Sequence, residues 1–587
     1  MFRKKSVLLT AIALTLLMLV STVSGCGGSG GGAGSATTTA PATTAATTTT
    51  AATTKAPETT TTTAAEKFER KAWNDPYPEI VTVTIANEDQ AGWLYYEGES
   101  VFDNLWTRRW AKEYNVNVVT LWAAADYELK MNLAIGAGDL PDIFYVNPVQ
   151  FTQLMDANLI EDITDLVKEP YASPGLLRML GNEESIMETT RRNGKCYSIP
   201  QLHYGLITQT PFLWVRNDWY NEVGKPDLNT VADLEALMET FMNNYNLDFT
   251  MILNDSMHSF WNSTPSWHSF ARGGGGNDRF WMDDGKGGIM SAYDQPEFMD
   301  ALAAWKKWYA NGWIRPDFAT IKFENMGDDI IAGKAGVEYG ANWRGRTHVK
   351  SIYNFGPESY WIAFAPPTVD GKPVKIPLSF SNWRYSVVRK GYEHPDILPV
   401  LISDYVHVLD EASIVGTMTA EETKPFGTNA MQHVTGPFQV IFGHYFDVKE
   451  VIEACETRVE KLSSGNARIF YDEIQPWLDF DGNMEHFDHD VEMGVGRWAQ
   501  MGHRHSSLAV AIGYEDNGHY LFSKAWGPHP QVVLDKGKIT DSIIDVAVTR
   551  IIMGTDPLDS WKKVLEEWHQ AGGDEMIKAI NDYYGGK

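Results

Sequence analysis

Between Glu79 and Ala86 the chain reads EIVTVTIA, apolar and polar positions alternating on β-branched residues. A period of two with that composition predicts a strand with one buried face. From Asn104 to Tyr114 the period lengthens: Leu105, Trp106, Trp110 and Tyr114 recur three to four residues apart, the spacing of one helix face. Val116 to Leu121 alternates again and predicts a second strand. Tyr127 to Ile135 predicts a helix ended by Gly136 and Gly138, and Asp142 to Val146 a third strand. The order β-α-β-α-β implies a parallel sheet with helices on both faces. Ligands of such sheets sit beyond the carboxyl ends of the strands. That rule points Asn87, Glu88 and Asp89, after the first strand, and Tyr145 and Asn147, at the end of the third, toward a cleft.

A second pattern follows. Phe212 to Arg216 predicts a strand. Thr230 is placed as an N-cap with Asp233 at the third helical position, opening a helix through Leu234, Leu237, Met238 and Phe241. Glu297 to Tyr309 is a helix closed by Asn311 and Gly312. Asp328 to Ile331, Gly333 and Val337 to Tyr339 read helix, turn, strand. Thr540 to Ile552, Asp559 to Gln570 and Glu575 to Tyr583 are further helices. The globular part, about 510 residues, is too long for a single core, so two or more lobes are expected.

The first residues are of another kind. Arg3, Lys4 and Lys5 precede an apolar run from Val7 to Val20, the layout of a secretory signal. That run is short for crossing ~30 Å of hydrocarbon, and no later segment is long and apolar enough. Val23-Ser24-Gly25-Cys26 resembles the lipobox of bacterial lipoproteins. The resemblance implies cleavage of residues 1–25 and a lipid anchor on Cys26, on the outer face of the cytoplasmic membrane. Residues 26–66 are rich in Gly, Thr and Ala, have no apolar periodicity, and read as a disordered tether. About 40 such residues have a root-mean-square reach of roughly 35 Å.

Acidic residues outnumber basic ones 76 to 49, a net charge of −27. Phosphate binding needs a basic surface, so nucleic acid is excluded as a partner. Three cysteines make neither a disulfide framework nor a zinc set; Cys196 and Cys455 either pair or stand as lone thiols. The four glycines of RGGGGNDRFW lack the Lys-Ser/Thr of a phosphate-binding loop and read as a turn, so ATP hydrolysis is not expected of this chain. MEHFDHD, with His486, Asp488, His489 and Asp490, reads as a solvated acidic loop. DFDGN lacks the spacing of a calcium loop. No metal and no cofactor is expected. Neither Gly-x-Ser-x-Gly nor His-Glu-x-x-His occurs. A carboxylate pair for glycoside hydrolysis is a property of the fold, not of the sequence.

Several segments then carry a family resemblance: AIGAGDLPDIFYVNPVQFTQLMDANLIEDITDLV, NGKCYSIPQ followed by LWVRNDWYNEVGKPDLNTVADLEALMETF, YANGWIRPDF, IIAGKAGVEYGANW, and IIMGTDPLDSWKKVLEEWHQAGGDEMIKAIND. In this order they resemble family 1 extracellular solute-binding proteins, the receptors of bacterial carbohydrate ABC importers. Residues 467–517 are matched to none of these segments and read either as an insertion or as part of the second lobe. The resemblance implies an α/β fold of two lobes like the periplasmic binding proteins, with a hinge of two or three crossings. Both lobes are then discontinuous, the first from 78–202 and 378–445, the second from 203–377 and 446–587.

Sugars present hydroxyls at their rims and C–H faces between, so a sugar site needs flat aromatics and polar side chains. Among 21 tryptophans, the resemblance singles out Trp343, at a position that stacks on ligand in relatives; a core tryptophan after a strand is the other reading. Arg344 beside it suits a bidentate grip on a carboxylate or hydroxyls. His203 and Tyr204 follow the first crossing, where relatives contact ligand. Trp383 and Arg384 lie at a later crossing, and Trp526 is expected near the hinge. Trp261 and Trp267 share a polar aromatic loop, and Trp93 follows the first strand.

The expected function is capture of an oligosaccharide, acidic ones included, by hinge closure. A monomeric, lipid-anchored receptor would pass it to an ABC permease energised by a separate ATPase. Three alternatives stay open at the level of sequence: a surface glycoside hydrolase or lyase, a sensory receptor with the same fold, and a peptide or other polar solute as ligand.

Overall fold

The computed structural model describes residues 68–585 except 91–92, 94, 183, 202–209, 254–279, 323–324, 380–383, 412–416, 428–433, 441–444 and 528. Lys67–Lys587 forms a compact unit of its own. Its first strand, β1 (Val81–Glu88), buries Val83 and Ile85. Helix α1 (Leu105–Tyr114) starts at Asn104, whose side chain accepts from the backbone of Trp106 and Thr107 while Thr107 returns a bond to the Asn104 N–H. The face predicted from the spacing is the buried one: Trp106, Trp110 and Tyr114 point into the core. Strand β2 (Val116–Ala124) pairs parallel with β1, with a bulge between Ile85 and Ala86. It runs past the predicted end at Leu121 and so includes Trp122. Helix α2 (Tyr127–Ala137) is capped by Asp126 and closed by Gly138, whose φ of +71° is left-handed.

The third strand corrects the expected sheet. β3 (Ile143–Val146) lies beside β1, but its ladder runs antiparallel with β10 (Tyr385–Val388), which also pairs with β4 (Ile199–Pro200). The local β-α-β-α-β pattern could not show a partner some 240 residues away along the chain. Asp142, just before β3, fastens it to β1: its carboxylate accepts from the Thr84 N–H at 3.0 Å and from the Thr84 hydroxyl at 2.6 Å.

The second group is a four-stranded sheet in the order β8 (Trp361–Phe364), β5 (Phe212–Arg216), β7 (Val337–Gly340), β6 (Met251–Ile252). Helix α4 (Val231–Tyr245) starts with the expected Thr230–Asp233 reciprocal cap. Helices α5 (Glu297–Ala310), α10 (Gln531–Ile552), α11 (Trp561–Trp568) and α12 (Asp574–Tyr584) cover this sheet's core with Trp305, Trp308, Trp561 and Trp568. The stretch 467–517 is built into the same group. Its helices α7 (Gly465–Leu478), α8 (His489–Met501) and α9 (Ser507–Asp516) share one apolar cluster with Phe212, Trp214 and Trp361.

The buried clusters drawn from residues 77–199 and 385–440 have no member in common with those drawn from 212–363 and 448–584. A short parallel ladder of β9 (Ile376–Leu378) and β11 (Tyr520–Phe522) carries a small cluster of its own. Cys196 and Cys455 are both buried and unpaired. Among the described residues no helix is long and apolar enough to cross a membrane.

Candidate ligand site at the strand ends

Because β10 runs antiparallel to β3, with Tyr385 opposite Val146, its first residues lie at the carboxyl end of β3. Arg384 therefore meets the end of β1. Its Nη2 lies 2.5 Å from Glu88 Oε2, both side chains mostly screened from solvent. The Arg384 guanidinium carbon lies 4.5 Å from the centre of the Tyr145 ring. Tyr145 stacks on Tyr127 at 4.0 Å and an interplanar angle of 13°, and Trp122 leans on Tyr127 at 5.3 Å. The Tyr127 hydroxyl donates to the Tyr145 carbonyl at 3.0 Å. Lys130 Nζ lies 4.9 Å from the Trp122 ring. Burial pushes the Tyr145 hydroxyl above its ordinary value, so it stays protonated.

Three expected residues, Glu88, Tyr145 and Arg384, are thus brought together from segments nearly 300 residues apart. Tyr127 and Tyr145 are themselves buried in the first group's core and back the half-buried Trp122, so what the arrangement offers a ligand is the Trp122 ring near a matched charge pair. Asn87, the neighbour of Glu88, turns inward and donates to the Val434 carbonyl at 2.7 Å. Neither Trp122 nor Tyr127 is among the residues expected at the site from the sequence. Their signal was present: the alternation of β2 continues through Trp122, and Tyr127 opens the helix that Asp126 caps.

Other expected residues have different surroundings. Asn147 caps α3 (Pro148–Asp156), accepting from the Gln150 N–H at 2.9 Å. Trp93 packs half-buried against the first group's core. Trp343 lies in a 3-10 turn, Asn342–Arg344, directly after β7. Arg344 makes its bidentate grip on the chain's own Glu338, at 2.6 and 3.1 Å, with both side chains buried. For that reason Arg344 is not carried into the site proposed below. His348 adds a 2.7 Å contact to the same carboxylate and stacks on Trp361 at 4.5 Å. Burial, reinforced by Arg344, holds the His348 imidazole below its ordinary value and neutral. His203, Tyr204, Trp261, Trp267, Trp383, Cys26 and the four-glycine turn lie outside the described residues. Trp526 Nε1 donates to the Ser185 carbonyl at 3.3 Å, joining the segment after β11 to the first group.

In the acidic loop His486 Nδ1 lies 2.8 Å from Asp481, and Asp488 caps α8 through the Val491 N–H at 3.0 Å. Among the described residues no group of three or more His, Cys, Asp or Glu is placed to hold a metal ion.

The sequence profile of the bacterial extracellular solute-binding proteins matches residues 96–396, just over half of the chain. The chain belongs to that family. It is similar to lipoprotein LipO of Bacillus subtilis (strain 168), with 22% identity over 475 residues, 79% of this chain and 86% of LipO. Its structure resembles that of the Streptococcus pneumoniae ABC-transporter substrate-binding protein FusA in complex with kestose. The TM-score is 0.53 at 13% identity, over 86% of this chain and 99% of FusA. An HMO-binding, ABC-transporter-associated solute-binding protein from Bifidobacterium longum infantis gives the same TM-score and identity, over 86% of this chain and 98% of the other. At such identities the two structures speak for the fold alone: the two-lobed α/β architecture of solute-binding proteins.

Proposed function

We propose that this protein is the lipid-anchored extracellular receptor of an ABC importer and captures an oligosaccharide between two closing lobes. The observation that carries this reading is the half-buried Trp122, backed by the buried Tyr127 and Tyr145, and the Glu88–Arg384 pair, at the strand ends of a family member. The lobes are 78–202 with 378–445 and 203–377 with 446–587; the separate cores support this division. Trp343, His203, Tyr204, Trp261, Trp267, Trp383, Trp93 and Asn147 are the further candidates for contact, with Trp343 offered by the second lobe. The ligand bridges both lobes, and closure is favoured because only the closed form makes both sets of contacts. The charge of Arg384 is matched by Glu88, and Asp89, also at this end of β1, accepts from the Tyr95 hydroxyl at 2.9 Å. This balance favours a neutral sugar over a uronic one.

The sugars named for FusA and the Bifidobacterium protein support an oligosaccharide as ligand, and the name LipO supports the anchor at Cys26. The anchor and tether keep the receptor close to its permease at high effective concentration. The work is binding, with a separate ATPase supplying energy. A thermal-shift screen of residues 67–587 against neutral and acidic oligosaccharides tests the reading. A ligand at ~100-fold over its dissociation constant adds about 2.7 kcal/mol of stability. A shift with a neutral oligosaccharide is expected; no shift across the panel would reject the saccharide.

A further inference from the structure

The turn that carries Trp343 is held from behind by the helices α7–α9. Asn342 and Arg344 are both buried, while Trp343 between them is only half-buried. Arg344 is fixed on Glu338. Asn342 is fixed by α8 and α9: Gln500 Nε2 donates to Asn342 Oδ1 at 2.6 Å, and the Ser507 hydroxyl donates to the Asn342 carbonyl at 2.9 Å. Gln500 is itself oriented. Its Oε1 accepts from Arg497 Nη1 at 3.0 Å, and Arg497 Nε donates to Glu473 of α7 at 2.6 Å. The packing is close as well. A Cβ on Gly345 would stand 3.0 Å from the Ala499 methyl, and one on Gly496 3.1 Å from the Arg346 backbone.

We infer that Gln500 is a positioning residue for Trp343, and that α7–α9 form a brace which fixes the angle at which that ring meets the ligand. The inference rests on the proposed ligand role of Trp343. The chain Glu473–Arg497–Gln500–Asn342 has an oriented donor and acceptor at each step, so loss of the Gln500 amide frees the Asn342 side chain and loosens the turn without opening the apolar core. A conservative change separates this from a general packing role. Gln500→Glu keeps the Arg497 partner and an oxygen toward Asn342, whose amide can rotate to donate. Gln500→Met keeps the volume and loses both bonds.

The test uses the full chain, extracted in detergent, with its tryptophans fluorinated. Trp343→Phe assigns the Trp343 fluorine resonance. Gln500→Met should move or broaden that resonance and leave the tryptophan resonances of the first group in place, while Gln500→Glu should keep it near its original position. In calorimetric titrations with kestose, Gln500→Met should weaken binding roughly tenfold, Gln500→Glu much less, and Gln500→Met should add nothing once Trp343 is Ala. An unmoved Trp343 resonance in Gln500→Met would overturn the inference, as would a loss of affinity that adds in full to that of Trp343→Ala. Absence of kestose binding by the unaltered chain would count against the saccharide reading alone, and the resonance would then decide the brace.

Discussion

Arg384, from the start of β10, holds Glu88, the last residue of β1, at 2.5 Å while its guanidinium lies on the ring of Tyr145. One side chain thus ties together a strand end, a charge and an aromatic face. Replacing it with Met keeps the length but leaves Glu88 without its cation. Arg384→Met should weaken saccharide binding by about 2 kcal/mol, roughly 30-fold. Titration calorimetry on the two proteins checks this, and equal affinities would remove the pair from the site.

A buried carboxylate organises the first group. Asp404, fully buried, accepts from Arg109 at 2.7 Å, from the Trp110 indole at 3.0 Å and from the Tyr114 hydroxyl at 2.8 Å. It lies on α6 (Ile397–Val406), and all three donors lie on α1. Asp404→Ala leaves these donors unmatched, and breaking such a pair costs about 3–5 kcal/mol. Urea unfolding should show that loss, with Asp404→Asn losing less.

The end of the chain has a pH-dependent fastening. His569 lies 2.7 Å from Asp294 and 2.7 Å from Asp574. Burial works against its charged form, but the bonds and charges of the two carboxylates outweigh it and raise its pKa above 6.5. A raised folded pKa stabilises the fold fully below the unfolded value, and the contribution fades as pH rises through the folded one. The melting temperatures of the unaltered protein and His569→Gln should therefore differ more at about pH 6 than at about pH 9. A gap that widens with pH would contradict the assignment.

Cys196 and Cys455 are buried, and burial raises both thiols, Cys455 to about 12. Thiolate is the reactive form, so both should be inert to a thiol reagent in the folded state. Without reductant, denatured residues 67–587 should release two thiols. Release of none would mean a disulfide.

The local patterns were legible because they are written at short range. The Trp106–Trp110–Tyr114 face, the Thr230–Asp233 cap and the Val337–Tyr339 strand each depend on residues within a few positions of one another. The partner of β3 did not, since β10 lies far along the chain. The candidate site was half legible for the same reason. The rule about strand ends pointed to Glu88 and Tyr145, and Arg384 was expected as a crossing residue, but no local signal showed that the three would be neighbours. Arg344 misled because a guanidinium next to a candidate tryptophan looks available until the fold shows Glu338 behind it. Residues 467–517 matched no family segment, yet three ordinary helices lie there, packed against Trp214 and Trp361.

The central claim is capture of one intact oligosaccharide. Native mass spectrometry of the chain after incubation with a mixed neutral oligosaccharide library tests it most directly. The account predicts a mass increment equal to one unaltered oligosaccharide per chain, less occupied when Arg384 is Met. No increment, or free sugars cut to smaller fragments, would contradict it.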